Sequence, residues 1–351
     1  MKTKIDLLLK AGFELKASDI HLTVGVPPIV RINGELKRLG KDPLIPADTE
    51  EMARAIIPNG MWEKFKNRGE LDFSYGLPGV SRFRVNAYFQ RSCIAMAIRV
   101  IPTRIPTLDE LELPPVIKKI ADKPYGLVLV TGPTGSGKST TLASLLHFMN
   151  GTQRKHIVTL EDPIEYLHKH GNCIIDQREV GFDTENFANG LRAALRQDPD
   201  VILVGEMRDL ETIQTAITAA ETGHLVLGTL HTSSAPATIN RIIDVFPPAQ
   251  QAQIKIQLAS VLVAIISQRL FPTADKKGRR AAVELLLNNS AVANLIRNEK
   301  IHQIANVMQT SRSLGMQTLE MNIKQLVQSG VIAKEAVVPF LQEKVDLDGT
   351  V

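Results

Sequence analysis

The chain has little cysteine, with only Cys93 and Cys173 among 351 residues. Two widely separated cysteines cannot form a zinc site by themselves, so we expect both to be reduced thiols. Aromatic residues make up 5% of the sequence, which argues against a protein that binds nucleic acid strands by base stacking. The longest apolar stretch falls short of the ~18 residues of a membrane-spanning helix, and the amino terminus lacks a signal peptide pattern. We therefore expect a cytoplasmic protein.

The positive charge is modest and unevenly distributed. The net charge of +4 comes from residues 1–100, which hold 16 Lys and Arg against 11 Asp and Glu. Such a domain could face nucleic acid, anionic lipid or the phosphates bound by a neighbouring subunit. The excess is too small to choose among them, and a solvated surface is the simplest explanation.

Two different folding patterns follow each other along the chain. Residues 1–100 contain hairpin signals such as Asn33-Gly34 and predict an antiparallel α+β domain. Prolines in 101–115 predict a stiff linker. Residues 116–288 alternate apolar strands with helices, which predicts an α/β core with a mainly parallel sheet covered on both faces. From Pro247 onward we expect helices apart from a strand at 281–287, and a helical carboxyl-terminal region at 289–351.

Residues 125–141 match the phosphate-binding loop pattern in full, between a buried strand and a helix start. Glycines let backbone N–H groups wrap a polyphosphate, the loop lysine reaches phosphate oxygens, and the following hydroxyl can ligate Mg²⁺. An ordinary glycine turn is the alternative, but the flanking strand and helix favour a nucleoside triphosphate site. The predicted binding residues are Gly132, Pro133, Thr134, Gly135, Ser136, Gly137, Lys138, Ser139 and Thr140.

Two acidic elements could serve hydrolysis. The apolar strand Val201–Val204 leads to Gly205-Glu206, and an acid at the carboxyl end of a parallel strand can hold Mg²⁺ directly or through water. Its common form carries Asp directly after the apolar run, so the glycine is a departure. A second strand runs into the acidic loop 161–165, where one carboxylate could activate the attacking water. Spacing alone does not choose among Glu161, Asp162 and Glu165.

Two histidines bracket the next predicted strand, Leu225–Leu230. Seven extended residues span about 23 Å, so His224 and His231 cannot normally contact the same phosphate. His231, at the carboxyl end, is the better γ-phosphate sensor, although a structural role is equally open. For His224 we expect a structural role or a position at a subunit contact.

Arginines could complete the site by stabilising the transition-state charge. Arg82 and Arg84 share one face of a predicted strand and Arg99 lies on the next. Supplied across a subunit boundary, such an arginine contributes ~10³–10⁵ in rate. Arg192 and Arg196 are further candidates, and each of the five could also be an ordinary surface or cross-strand residue.

This ordered set of motifs resembles the secretion ATPase superfamily, and most closely its type IV pilus retraction ATPases. The resemblance covers nearly the whole chain. The segments that carry it are 17–22, 132–140, the acidic box 160–166, the Walker B region 192–207 and the histidine box 223–232. The family's Ala-Ile-Arg-type motif is only partly matched at 291–297.

The resemblance implies a homo-hexameric motor with a PAS-like amino-terminal domain, a RecA-like core, ATP and Mg²⁺. It implies that Glu165 is the general base and Glu206 the metal-associated acid, and that Arg82, Arg84 and Arg99 approximately match arginines that reach nucleotide at an interface. The motor is expected to work at the cytoplasmic face of the inner membrane on a pilus platform protein, without nucleic acid.

Other functions use similar cores. Pilus extension and type II secretion ATPases usually carry an additional amino-terminal domain and a four-cysteine motif, so the start of this chain and its two cysteines favour retraction. A nucleic-acid translocase predicts DNA-stimulated hydrolysis, and a small-molecule kinase predicts transfer of phosphate to an acceptor. A non-hydrolysing scaffold is disfavoured by the acidic residues.

Overall fold

The computed structural model describes residues 3–340 and divides the chain into two compact units. The first unit comprises Met1–Arg104 and Glu165–Leu167, and the second comprises Ile105–Ile164 and His168–Val351. Within the described residues, no helix is both long and apolar enough to cross a membrane.

The first unit is an antiparallel sheet with helices on one face. Its sheet order is β3-β2-β1-β6-β5-β4. The elements are α1 (Lys4–Glu14), β1 (Asp19–Leu22), β2 (Ile29–Ile32), β3 (Glu35–Arg38), α2 (Pro46–Ile56), α3 (Trp62–Arg68), β4 (Glu70–Leu77), β5 (Ser81–Gln90) and β6 (Cys93–Val100). The predicted hairpin joins β2 to β3. The antiparallel α+β interpretation of this region agrees with the structure.

The alternation of apolar and polar residues along the strands determines which face of this sheet the helices cover. Ile20 on β1 and Ile98 on β6 pair across the sheet and are buried, with Leu9 of α1 and Phe65 of α3 in the same hydrophobic cluster. Asp19, which directly precedes Ile20 on β1, points to the opposite face, because successive side chains of a strand alternate between the two faces. One face is therefore core and the other is polar.

The second unit contains a seven-stranded sheet of order β13-β12-β7-β11-β10-β8-β9. All its pairings are parallel except that of β12 with β13. Its strands are β7 (Gly126–Thr131), β8 (His156–Glu161), β9 (Ile174–Glu179), β10 (Val201–Val204), β11 (Leu225–Leu230), β12 (Leu262–Pro272) and β13 (Arg279–Leu287).

Helices cover both faces of this sheet. Leu127 and Leu129 of β7 pack in one hydrophobic cluster, and the alternate Val128 and Val130 pack in another. The helices are α4 (Val116–Ala121), α5 (Lys138–Thr152), α6 (Phe187–Ala194), α7 (Leu210–Glu221), α8 (Ala235–Asp244), α9 (Pro248–Val261), α10 (Ser290–Arg297), α11 (Ile304–Thr310), α12 (Leu319–Gln328) and α13 (Lys334–Val337). The predicted fold class, a mainly parallel α/β sheet covered on both faces, is confirmed.

The expectation of helices from Pro247 to the strand at 281–287 was wrong in one respect. Leu262–Pro272 forms β12, which pairs with β7 and so lies inside the sheet. Helix α9 passes into β12 at Leu262 with no intervening glycine or proline. No turn residue therefore marks the change from helix to strand.

Both ends of the proline-rich segment 101–115 are held by compact units. The carbonyl of Ile101 accepts a hydrogen bond from the Ser81 hydroxyl in the first unit. Leu108 and Leu113 are buried in a hydrophobic cluster of the second unit. Three residues within the predicted core, Glu165–Leu167, belong to the first unit. The described part of the carboxyl-terminal region is helical, and 341–351 lie outside the described residues.

A histidine in the second unit makes its stability sensitive to acid. Burial lowers the pKa of His168 to about 4, with a smaller contribution from the charge of His147. Its Nδ1 is buried without a hydrogen-bond partner among the described residues. Because the unfolded histidine has the higher pKa, the neutral form stabilises the fold above pH ~6.5, and this stability is lost as the pH falls towards 4.

We expect His168→Gln to flatten this pH dependence. The free energy of unfolding of the unmodified protein should fall by up to roughly 3 kcal/mol between pH 6.5 and pH 4 more than that of the variant. Urea unfolding followed by circular dichroism measures both. The exposed His302→Gln is the control and should keep the original slope. An identical slope in His168→Gln would contradict the assignment.

Candidate functional site: a phosphate loop at the carboxyl end of the parallel sheet

The predicted phosphate loop lies between β7 and α5. Its backbone has positive φ at Gly132 (+143°), Gly135 (+78°) and Gly137 (+91°), which side chains with a Cβ rarely adopt. A Cβ on Gly132 would lie 2.3 Å from the carbonyl oxygen of Gln268 and 2.6 Å from Oγ of Ser136. The loop therefore needs glycine both for its backbone shape and for its close packing.

The lysine of the loop is directed back over it. Nζ of Lys138 donates to the carbonyl oxygens of Gly132 at 2.9 Å and of Pro133 at 3.1 Å. Lys138 is also the first residue of α5, so the positive end of the helix dipole acts at the same place. Ser139 and Thr140 follow in the first turn of α5. This arrangement suits a polyphosphate anion.

Gln268 supports the loop from β12 and was missed by sequence reasoning. Its side chain is 2% exposed, its Nε2 donates to the carbonyl of Ser136 at 2.7 Å, and its Oε1 accepts from the Thr141 hydroxyl at 3.0 Å. One amide thus joins the loop to the first turn of α5. Nothing in the sequence marks this glutamine, because most segments after Pro247 are expected to be helical and β12 is not predicted.

Glu206 follows β10 as predicted from the end of that strand. Gly205 directly before it has a structural reason, since a Cβ there would lie 2.9 Å from the Leu160 carbonyl oxygen and 3.3 Å from the Glu161 Cα. The amide of Gly205 donates to that same carbonyl at 2.7 Å. The glycine therefore allows the chain to pass close to the end of β8 directly before the carboxylate of Glu206.

His231 and Glu206 come together at the carboxyl ends of β11 and β10. Nε2 of His231 lies 2.7 Å from Oε1 of Glu206. Arg208 forms an ion pair with the same carboxylate, and this hydrogen bond raises the pKa of the Arg208 guanidinium. His224 lies at the opposite end of β11, where its Nδ1 is 3.0 Å from the Ala219 carbonyl oxygen. Only one of the two histidines therefore lies at the phosphate-loop end.

A cavity of about 470 Å³ connects these residues with the phosphate loop. It has Thr134 of the loop on one side and Glu206 and His231 on another. Arg208, Thr232 and Arg241 complete its polar lining. Carboxylate, imidazole and guanidinium groups thus surround a space beside the loop, as expected for the reacting end of a bound triphosphate.

The residues also suit a magnesium ion. Mg²⁺ prefers oxygen ligands and uses one or two protein groups together with substrate phosphates and water. The Ser139 hydroxyl and the Glu206 carboxylate are ligands of this kind. No group of three or more acidic, histidine or cysteine residues suited to a metal occurs within residues 3–340.

The acidic loop after β8 separates its carboxylates. Oε1 of Glu161 accepts hydrogen bonds from the Thr159 hydroxyl at 2.6 Å and from Nε2 of Gln177 at 3.0 Å. Asp162 is exposed and precedes Pro163 through a cis peptide bond. Glu165 is exposed and belongs to the first unit. Glu161 is thus engaged in local hydrogen bonds, which leaves Asp162 and Glu165 as the more accessible acids.

The candidate arginines of the first unit share the polar face of its sheet. Arg84 on β5 is paired in register with Arg99 on β6, and Arg99 with Asp19 on β1. Nε of Arg99 donates to Oδ1 of Asp19 at 3.1 Å. Arg82 lies on the same face, two residues before Arg84. The structure therefore groups the three arginines, as the strand alternation predicts.

Arg192 in α6 is engaged within the second unit. It forms an ion pair with Glu211 and donates to Oδ1 of Asn189 at 2.6 Å. Arg196 is exposed beyond the end of α6. The bonds of Arg192 suit a structural role at the contact between α6 and α7.

We expect Gln268→Leu to weaken nucleotide binding and destabilise the second unit. The Ser136 carbonyl and the Thr141 hydroxyl would lose a buried partner, at a cost of about 1–3 kcal/mol each. Isothermal titration with ADP and urea unfolding measure the two effects. Gln153→Leu is the matched control, since its Nε2 also donates to a backbone carbonyl, that of Ala121, but at the far end of α5. Equal ADP affinities in the two variants would contradict the role of Gln268.

Comparison with known proteins shows the family of this chain. The type II/IV secretion system protein family matches residues 80–339. The chain is 49% identical to the type IV pilus retraction ATPase PilT of Pseudomonas aeruginosa over 93% of this chain and 95% of that protein. It is 47% identical to a twitching motility protein of Neisseria gonorrhoeae, over 92% and 88% of the two chains.

Solved structures agree with these sequence relationships. The crystal structure of the pilus retraction motor PilT with bound ADP superposes with a TM-score of 0.90 and 48% identity, covering 97% of this chain and 98% of that one. The Legionella pneumophila ATPase DotB gives 0.82 and 30% identity, covering 94% and 93%. The chain therefore belongs to the type II/IV secretion system protein family, and its fold is that of the pilus retraction motors.

Proposed function

We propose that this chain is a Mg²⁺-dependent ATPase that works as a homo-hexameric motor and powers the retraction of type IV pili. The observation that carries the proposal is the phosphate loop, which shares one cavity with Glu206 and His231. The names of the relatives supply the cellular process, since one is a type IV pilus retraction ATPase and another a twitching motility protein.

Each group has a role in this proposal. Backbone N–H groups of the loop and Lys138 would hold the phosphates, and Ser139 and Glu206 would hold Mg²⁺, which would neutralise phosphate charge. Glu165 takes the proton of the attacking water. His231, held against Glu206, lies at the reacting end of the cavity and would respond to the γ-phosphate through its contact with that carboxylate.

The arginines of the first unit would complete the site across a subunit boundary. Arg84 and Arg99 lie directly opposite each other, and like charges at such positions repel. The Asp19 carboxylate is shared between Arg99 and Arg31, so a bound polyphosphate would add negative charge to this cluster of arginines, which favours Arg84 and Arg99 as the anion contacts. Motion between the two units would use the short connection between Ile101 and Leu108, because both of these residues are packed in compact units.

The same core also occurs in pilus assembly ATPases, which lengthen the polymer instead. Similarity to the Myxococcus xanthus assembly ATPase PilB is 42% identity over 49% of this chain and 29% of that protein. Similarity to the retraction ATPase extends over nearly the whole of both chains. The extent of the match therefore favours retraction. The proposed partner is the platform protein of the pilus machine in the inner membrane.

We expect Glu165→Gln to bind ATP normally and to hydrolyse it about 10²–10⁴-fold more slowly, because the amide cannot accept the proton of water. Steady-state phosphate release and equilibrium ATP binding measure the two properties separately. Glu185→Gln, an exposed acid of the second unit, is the control and should keep full activity. Normal turnover by Glu165→Gln would show that the general base lies elsewhere, with Asp162 the next candidate.

Deletion of the gene in its host tests the direction of work. If the motor retracts pili, the cells should carry excess surface filaments and lose twitching motility. Electron microscopy of surface pili and a surface-motility assay measure both. Cells without pili would instead assign the chain to extension. Complementation with Lys138→Ala should fail to restore motility, which separates loss of nucleotide binding from loss of the protein.

A further inference from the structure

One buried carboxylate, that of Glu284 in β13, does not line the cavity beside the phosphate loop. Glu284 is 6% exposed, and its chain neighbours Val283 and Leu285 are buried apolar residues. Its Oε1 accepts a hydrogen bond from the backbone amide of Ala235 at 2.6 Å, and its Oε2 accepts a longer one from the amide of Leu319 at 3.4 Å. Burial raises the pKa of the Glu284 carboxyl, and these two hydrogen bonds oppose the rise. Its two partners within residues 3–340 are therefore backbone amides.

The shorter of these bonds completes the start of α8. This helix begins at Ala235, and its second residue, Pro236, has no amide hydrogen to donate. The amide of Ala237 donates to Oγ of Ser234 at 3.3 Å. The amide of Ala235, a fully buried residue, is left for Glu284. Because an unpaired buried amide is costly, and because a negative charge suits the positive end of a helix, the carboxylate fixes where α8 begins.

The start of α8 is joined to His231 by a short segment. Only three residues separate His231, at the end of β11, from Ala235. Oγ1 of Thr232 lies 2.6 Å from Oγ1 of Thr238, and the Thr238 hydroxyl donates to the Ser234 carbonyl at 2.7 Å. The segment is thus folded against the first turn of α8. The register of β11 determines one end of it, and the buried carboxylate of β13 holds the other.

The same part of β13 is fastened to the start of α12. Gln317 and Leu285 exchange two backbone hydrogen bonds, of 2.8 and 3.1 Å, and Nε2 of Gln317 donates to the Val283 carbonyl at 2.8 Å. Oδ1 of Asn322 in α12 accepts from the Val283 amide at 2.8 Å. Both chain neighbours of the buried glutamate are therefore tied to α12, whose first residue, Leu319, donates to the carboxylate itself.

We propose that Glu284 is a positioning residue that fixes the start of α8 and, through residues 231–235, the place of His231 beside Glu206. This inference rests on the proposed role of that histidine in ATP hydrolysis. Its consequence is that α12 and the reacting end of the site share one carboxylate as their anchor. A displacement of α12 would then move His231 and change the rate of hydrolysis, while the phosphate loop would bind nucleotide as before.

A double-mutant cycle on the kcat of ATP hydrolysis tests this dependence. Glu284→Leu removes both acceptors and should lower kcat about ten-fold. In a His231→Ala background the same change should lower kcat less than about two-fold, because the residue through which it acts is gone. Glu284→Gln keeps an oxygen that can accept from Ala235 and should retain most of the activity. The dissociation constant of ADP should stay unchanged in Glu284→Leu, since the phosphate loop is untouched.

Thr318→Val is the matched control for a general loosening of α12. Thr318 is 9% exposed and caps α12, where its Oγ1 accepts from the Met321 amide at 3.3 Å. The substitution removes this cap but no acceptor of α8, so kcat should fall much less than in Glu284→Leu. An equal loss in Thr318→Val would overturn the inference, and so would a loss in Glu284→Leu that persists in full in the His231→Ala background.

Hydrogen exchange of the nucleotide-free protein separates this inference from the proposed function, because it requires no turnover. The amides of residues 231–238 should exchange faster in Glu284→Leu and at the original rate in Thr318→Val. Unchanged exchange in Glu284→Leu would overturn the positioning role. Faster exchange, in a protein that hydrolyses no ATP when unmodified, would contradict the ATPase proposal and leave the anchoring of α8 by Glu284 supported. If Glu284→Leu does not fold, Glu284→Asp, which is one methylene shorter, replaces it in both measurements with the same expected directions.

Discussion

The parallel pairing of β7, β11 and β10 is the constraint on which the site depends. Its register places Leu230 opposite Thr131, so that the residues that follow, His231 and Gly132, leave the sheet side by side. Val204 lies opposite Gly228 in the same way. Because a parallel sheet gathers the carboxyl ends of its strands at one edge, the loop, Glu206 and His231 meet there.

Close backbone packing determines where glycine is required around this edge. Gly132 lies against the Gln268 carbonyl, and Gly205 lies against the Leu160 carbonyl. A Cβ on Gly228 would lie 2.5 Å from Sδ of Met207, the residue after Glu206. At each of these positions a side chain would displace a neighbour that carries or orients a site residue. The backbone around this edge is therefore closely packed, and little room is left for larger residues.

Features that depend on a local sequence pattern could be predicted, whereas features that depend on the pairing of distant segments could not. The phosphate loop, Glu206 and His231 were found because glycine spacing and strand ends are visible in one segment. β12 was missed because α9 enters it without a turn residue, and Gln268 was missed with it. Its two hydrogen bonds join residues more than a hundred positions apart, so nothing in the neighbouring residues indicates them.

The electrostatic state of Glu206 connects the structure to its proposed chemistry. Its carboxylate is held by Arg208 and His231 of its own unit, so the charge is compensated before a metal arrives. The side chain of Arg208 is 75% exposed, and an ion pair with so exposed a partner is weak because water screens it. The Glu206 carboxylate would therefore exchange Arg208 for a divalent cation at little cost. Under the proposed function, Glu206 would exchange Arg208 for the cation and keep its contact with His231, so that nucleotide binding would change the orientation of Arg208.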